Sequence, residues 1–194
     1  MSKQAMDTGF LKRLNAHRAG WASAQRPANI EQPGPGQESV WDYPRPPEIR
    51  PAEAPLSIVF AGQVIATTDR GLRVCETAGA PVYFFPPEDV RTDVLHYHPQ
   101  PASFCEWKGE AVYIDLVLGD RLGERAAFTY PDPLDDLGRG FDRIAGWIAF
   151  YAGRVDEAWV GEELAKPQPG GFYAGWVTRR ITGPIKGSPG TEGW

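Results

Sequence analysis

Turn-forming residues punctuate this chain so densely that long helices are excluded over most of its length. Its 194 residues include 22 glycines and 19 prolines. Proline fixes φ and removes a backbone donor, while glycine opens the conformations that tight turns need. From residue 57 onward, short apolar stretches alternate with such signals roughly every eight to twelve residues, the rhythm of antiparallel strands. The expectation is a mainly β fold. Strands are predicted at Ser57–Phe60 and Val64–Thr68 around Gly62, at Leu72–Glu76, and at Val82–Phe85, stopped by Pro86 and Pro87. Glu88–Leu95 is predicted to hold one or two helical turns. Further strands are predicted at Phe104–Trp107 and Ala111–Leu118 around Lys108–Gly109, then at Arg125–Tyr130, Ile144–Tyr151 and Ala158–Gly161.

Two segments precede this body. Phe10, Leu14, His17 and Trp21 recur at helical spacing, so residues 1–24 are expected to form a helix with Thr8 as its cap and Arg18 off the apolar stripe. Residues 25–55 carry eight prolines and read as an extended connector pinned to the body by Trp41 and Tyr43. Residues 56–194 are read as one domain ending in a Gly-, Pro- and aromatic-rich tail from Pro167.

Hydrophobic residues make up 42% and charged residues 23%, the balance of a globular chain. The net charge of −5 argues against a nucleic-acid partner or an anionic membrane surface. No apolar run approaches the roughly 20 residues of a membrane span, and the N-terminus lacks the apolar stretch of a signal peptide. With two cysteines, Cys75 and Cys105, read as free thiols, a cytoplasmic location is expected.

Chemistry is sought where polar groups interrupt apolar strands. Alternation puts Glu76 on the face of Leu72 and Val74, where a carboxylate must be paired, hydrogen-bonded or protonated. Glu76 is therefore the candidate acid or base, with a solvated strand end as the plain alternative. Tyr113, Asp115 and Tyr151 fall on faces opposite their apolar neighbours, as pocket lining or as a solvated sheet face. Cys105 precedes Lys108, and an ammonium beside a thiol stabilises the thiolate. A nucleophilic Cys105 competes with the plain reading of a small buried hydrophobe. Cys75, His96, His98 and Cys105 could supply four zinc ligands, but without the C-x-x-C spacing of such sites. No cofactor is expected, with zinc as the alternative. The glycines at 170 and 171 precede aromatics and make no phosphate loop.

A run of motifs resembles one family. These are Trp41–Pro47, Glu76-Thr77, Pro81–Val90, Cys105–Gly109 with Tyr113, Tyr130-Pro131, Phe150-Tyr151, and the tail blocks Pro167–Tyr173 and Gly183–Gly187. In order and spacing they resemble the bacterial domain-of-unknown-function family 427. The resemblance implies a β-tent, two small antiparallel sheets leaning together over a cleft. That cleft would be the ligand site, with Glu76, Cys105 and Lys108 as its reactive groups and Tyr83, Tyr113, Tyr130 and Tyr151 as its lining. Many β-tent relatives hold zinc through paired C-x-x-C motifs, and this chain has neither pair. The family also carries a nucleotidyltransferase label, which implies closely spaced acidic metal ligands. Asp115 has no acidic residue two positions away. The expected function is small-molecule binding, with turnover left open. The alternative is an interaction module that recruits a partner protein through the N-terminal helix.

Overall fold

The structure is a computed structural model that describes residues 8–21, 24, 26–101 and 103–194. Of the helix expected over 1–24, residues 1–7, 22 and 23 lie outside the described residues. The helix α1 spans Thr8–Gly20, so Thr8 is its first residue. Phe10 packs edge-on against Phe104, and Leu14 is buried, as the stripe predicts. Arg18 departs from expectation, because it is buried too. Its Nε donates to the Glu106 carbonyl at 2.7 Å and its two Nη groups clasp Asp136 at 2.7 and 2.9 Å. Fully partnered, the guanidinium can leave water.

The remaining elements are short strands in chain order. They are β1 (Glu38–Ser39), β2 (Glu48–Pro51), β3 (Leu56–Phe60), β4 (Gln63–Thr68), β5 (Leu72–Cys75), β6 (Val82–Phe85), β7 (Leu95–Tyr97) and β8 (Ser103–Cys105). Then come β9 (Gly109–Leu118), β10 (Arg121–Thr129), β11 (Ile148–Phe150), β12 (Glu157–Val160), β13 (Glu163–Leu164), β14 (Lys166–Pro167), β15 (Trp176–Val177) and β16 (Ile181–Thr182). An eight-stranded sheet runs β2-β5-β6-β11-β10-β9-β7, with β8 paired to β9, and a four-stranded sheet runs β13-β12-β3-β4. Two-stranded pairs β1-β16 and β14-β15 complete the set. The protein is mainly β, and every strand pair except β1-β16 is antiparallel. No helix among the described residues is long and apolar enough to cross a membrane.

The connector is more than a wrap. β2 joins the large sheet at its edge, where Pro51 costs no ladder bond to a further strand. Ile144–Tyr151 does not form one strand. Phe141–Ile144 makes a helical turn, and Gly146, at φ +72°, breaks the extended run before β11. β10 starts earlier than Arg125, and a bulge between Gly123 and Ala127 absorbs the extra length, with Arg125 itself at φ +48°.

Side-chain alternation divides the large sheet into two unlike faces. One face sends Tyr83, Phe85, Ile114, Leu116, Ile148 and Phe150 against Leu56, Ile58, Phe60, Ala158 and Val160 of the four-stranded sheet. The space between the sheets is therefore filled core. The opposite face carries Leu72, Val74, Phe84, Ala111, Phe128, Tyr130 and Tyr151. A third cluster, Val40, Trp41, Tyr43, Cys75, Ala78 and Ile181, seals the connector and the tail to the end of β5.

The tail crosses itself through glycines. A Cβ at Gly170 would strike the Gly187 carbonyl, and one at Gly187, at φ +124°, would strike the Pro169 carbonyl. Gly187→Ala is therefore expected to lower unfolding free energy by about 2 kcal/mol or more, since backbone must move on top of the φ penalty. Gly193, with nothing within 4 Å of a built Cβ, is expected to tolerate alanine within about 0.5 kcal/mol. Urea unfolding of the two variants beside wild type measures both.

Candidate functional site

The chain leaves β5 at Cys75, so Glu76 sits one residue beyond the ladder on the side of Leu72 and Val74. A tight turn then holds it. The Gly79 amide donates to the Glu76 carbonyl at 3.0 Å, the Ala78 amide to the Val40 carbonyl at 3.0 Å, and the Thr77 hydroxyl to the Tyr43 carbonyl at 2.6 Å. The Glu76 side chain keeps 21% of its surface exposed, and its Oε1 lies 3.4 Å from Arg45 Nε and 3.5 Å from Lys186 Nζ. Burial pushes this carboxyl up, but Lys186, Lys108 and Arg45 outweigh burial and hold it below its ordinary value. Glu76 is thus an ionised carboxylate set among three cations.

Lys108 comes from the turn between β8 and β9, closed by the pairing of Cys105 with Gly109. Gly109 adopts φ +86°, with Leu134 packed 3.2 Å from where a Cβ would stand. The Leu134 amide donates to the Lys108 carbonyl at 2.9 Å. Lys108 is only 8% exposed, and its Nζ stands 5.8 Å from the Tyr130 ring centre and 5.9 Å from that of Phe141. Burial alone would lower its pKa, yet the neighbouring Cys105 and Glu76 raise it, so Lys108 is an ammonium. Lys108 and Tyr130 both neighbour Cys105. The Tyr130 phenol is pushed well above its ordinary value by burial, then by the neighbouring Cys105 and Tyr151, and stays a proton donor. Cys105 itself is partly exposed.

Two more cations arrive from the ends of the chain. Arg45, its side chain 9% exposed, donates from Nη2 to the Thr77 carbonyl at 3.0 Å and to the main-chain oxygen of Trp194 at 3.4 Å. The Trp21 ring lies over it at 4.6 Å. Lys186 is equally buried, 5.0 Å from the Tyr173 ring centre. Gln168 fixes the backbone beside it, accepting from the Ala80 amide at 3.0 Å and donating to the Lys186 carbonyl at 3.0 Å. Trp21 Nε1 in turn donates to Glu106 Oε1 at 2.8 Å.

The structure therefore brings Glu76, Cys105, Lys108 and Tyr130 together on the face of the large sheet opposite the four-stranded sheet, not in a cleft between the two. Tyr151 and Tyr113 continue that face, with ring centres 6.5 Å apart and the Arg154 guanidinium 4.2 Å over Tyr151. Tyr83 does not belong with them. It has no exposed surface, packs in the inter-sheet core against Trp176, and donates its hydroxyl to Glu53 Oε1 at 2.6 Å. The structure does not gather the four residues considered for zinc into one group. Cys75 is sealed in the third cluster, where burial pushes its thiol up to about 12. His98 is bonded to Asp115 at 2.8 Å, and His96 is exposed. Among the described residues no three His, Cys, Asp or Glu side chains gather into a metal-holding group. The residues that sequence reading passed over are Arg45, Lys186, Tyr173 and Trp21. Arg45, Lys186 and Tyr173 sit inside motif blocks already singled out, and a lone cation enclosed by prolines and glycines was the available signal.

A carboxylate held below its ordinary pKa of 4.5 stabilises the fold above that pH, and the contribution fades as pH falls through its depressed value. Glu76→Gln is expected to cost about 1–3 kcal/mol at neutral pH, because the cations lose their counter-charge. The gap between variant and wild type should shrink below about pH 4. Urea titrations across pH test the sign, and a gap that widens on acidification contradicts it.

A family model described as "Domain of unknown function (DUF427)" matches residues 48–161, the span from β2 past β12 that holds Glu76, Cys105, Lys108 and Tyr130. No curated protein matches the chain. Arg45, Lys186, Tyr173 and Trp21 lie outside the matched span, and the chain belongs to the DUF427 family.

Proposed function

We propose that this protein binds a small molecule over the Glu76–Lys108–Cys105–Tyr130 cluster, with the Cys105 thiol as its reacting group. The observation that carries this reading is the meeting of carboxylate, ammonium, thiol and phenol at one partly open place, delivered by separate stretches of chain. Each group has a role the others make possible. Glu76 keeps Lys108 charged, Lys108 sets that charge beside the Cys105 sulfur, and Tyr130 offers a proton to the sulfur or to a ligand oxygen. Tyr113 and Tyr151 would extend the contact surface. The β-tent scaffold is part of the same reading, supported by two antiparallel sheets closed on one apolar core. The ligand would sit on the outside of the larger sheet. An adaptor role for the N-terminal helix is the weaker reading, since Phe10, Leu14 and Arg18 are spent on contacts with the body.

Alkylation by iodoacetamide tests the proposal. The thiolate displaces iodide, a C–S bond replaces the C–I bond, and the site is located by mass spectrometry. Between about pH 6 and 8, Cys105 is expected to react faster than glutathione, and Lys108→Met to slow it about tenfold. Cys75, fully buried, serves as the internal control and is expected to stay unmodified in the folded protein. A Cys105 that reacts no faster than glutathione at any pH removes the reacting role.

A further inference from the structure

The cations of the site come partly from inside and partly from outside the family-matched span. Inside the family-matched span it holds one buried cation, Lys108, near two carboxylates, Glu76 and Glu106. The flanking segments add Arg45 and Lys186, and Arg45 Nη2 also meets the main-chain oxygen of Trp194 at 3.4 Å. The complete site thus gathers three cations around the Glu76 carboxylate, in a chain whose overall charge is −5. Each of the three cations has a side chain or residue less than a tenth exposed. Three cations this deeply buried are costly unless enough negative charge completes the set.

The contacts around Glu76 also leave donor capacity unused. The approaches of Arg45 and Lys186 at 3.4 and 3.5 Å are long for charge-assisted bonds, which close to roughly 2.7–2.9 Å when geometry is optimal. Arg45 Nε, buried, makes no hydrogen bond and meets Glu76 only through that 3.4 Å ion pair. A buried, unsatisfied guanidinium N–H beside two ammonium groups is the donor set of an anion site. Aromatic edges surround it, since Trp21 covers Arg45 and Tyr173 flanks Lys186. A groove of about 620 Å³ lined by His17, Gly20, Trp21, Gly190, Gly193 and Trp194 lies just outside. It is joined to the site by Trp21 and by the main-chain oxygen of Trp194 that accepts from Arg45.

We infer that the ligand of this site is a small organic anion, and that Arg45 and Lys186, supplied from outside the family-matched span, are the residues that select its negative charge. The inference rests on the small-molecule reading above and adds the class of ligand. Glu76 then serves as the fixed counter-charge that keeps the three cations assembled when no ligand is bound. The carboxylate or phosphate of the ligand takes the free donors of Arg45 and the ammonium groups, and its body lies along the Trp21–Trp194 groove.

Two alkylating agents of the same reach but different charge test the selection. Iodoacetate is anionic and iodoacetamide neutral, and both transfer their methylene carbon to the Cys105 sulfur with loss of iodide. The ratio of their rates at Cys105, divided by the same ratio for glutathione, is expected to be about tenfold above unity at low salt and to fall as salt screens the site. Arg45→Gln and Lys186→Gln should each lower it several-fold, because each removes a positive charge that acts on iodoacetate and not on the neutral reagent. A wild-type ratio equal to that of glutathione overturns the inference, whatever the variants do. If iodoacetamide itself is no faster than with glutathione, the reacting role of Cys105 falls instead. Anion selection is then read from melting, which does not need the thiol to react. Inorganic phosphate or acetate at constant ionic strength should raise the wild-type Tm by a few degrees and leave Lys186→Gln unmoved. A shift with phosphate assigns a phosphoryl head group and one with acetate a carboxylate. No shift with either overturns the inference.

Discussion

The ionised carboxylate of Glu76 is the interaction on which the outer face of this protein depends. It is the shared counter-charge of Arg45 from the connector, Lys108 from the β8–β9 turn and Lys186 from the tail. Like charges at close quarters repel, and in a partly desolvated place water cannot screen them fully. Without Glu76 the three cations would drive their chain segments apart. With it, the connector and the tail are drawn to the end of β5, beside the edge of the large sheet. The backbone reinforces that closure: Trp41 Nε1 donates to the Pro184 carbonyl at 2.8 Å, and the Lys186 amide donates to the Ala78 carbonyl at 2.8 Å. Charge and hydrogen bonding therefore point to the same arrangement of connector, turn and tail.

The sheet divides stability from chemistry by side-chain parity. Odd and even positions of β6 show this most directly. Tyr83 and Phe85 enter the inter-sheet core, while Phe84 faces Phe128 and Tyr130 on the other side. The first face is sealed and apolar, and its one phenol is tied off by Glu53. The second face is aromatic near the strands and polar at their ends, where loops supply charged groups. A second charge network secures the connector against the same strand that leads to Glu76. Arg73 of β5, one residue off in parity, bonds Glu38 at 2.9 Å and lies 3.3 Å from Glu53. The two carboxylates stand at either end of the proline-rich segment that carries Arg45, so a single strand fixes both the site's anion and the frame of one of its cations.

How much of this could be read beforehand follows from where each signal resides. Val82–Phe85 and the Gly62 hairpin were legible because the prolines at 86 and 87 and the glycine at 62 stop or turn the chain locally. Glu76 was legible because alternation on β5 is a property of neighbours in sequence. The reach of Lys108 to Cys105 was legible because both lie in one hairpin. Tyr83 was misread because Val82-Tyr83-Phe84-Phe85 has no polar position to mark one face as outward. Ile144–Tyr151 was misread because a helical turn and Gly146 reset the alternation midway. Arg45 and Lys186 were invisible as site residues, since their meeting at Glu76 joins positions far apart in the chain. Such a meeting is decided by the packing of Trp41, Gln168 and the tail glycines rather than by any local pattern.

The contrast between a net charge of −5 and a cation-rich site bears on how an anion would be bound. At distances beyond roughly 8 Å at physiological salt, the field of the protein is screened, and what remains of it is repulsive to anions. Capture would then owe little to long-range steering and almost everything to contact. Association would be slow by electrostatic standards, and selectivity would lie in the geometry of a few buried donors. That is the regime in which Arg45 matters most. A guanidinium held by the Thr77 carbonyl and the main-chain oxygen of Trp194 under the Trp21 ring has already lost its conformational freedom, so an anion meeting its Nε, which makes no hydrogen bond, would do so with little further ordering cost. The tail and the connector supply the cations and also hold them in place before the ligand arrives.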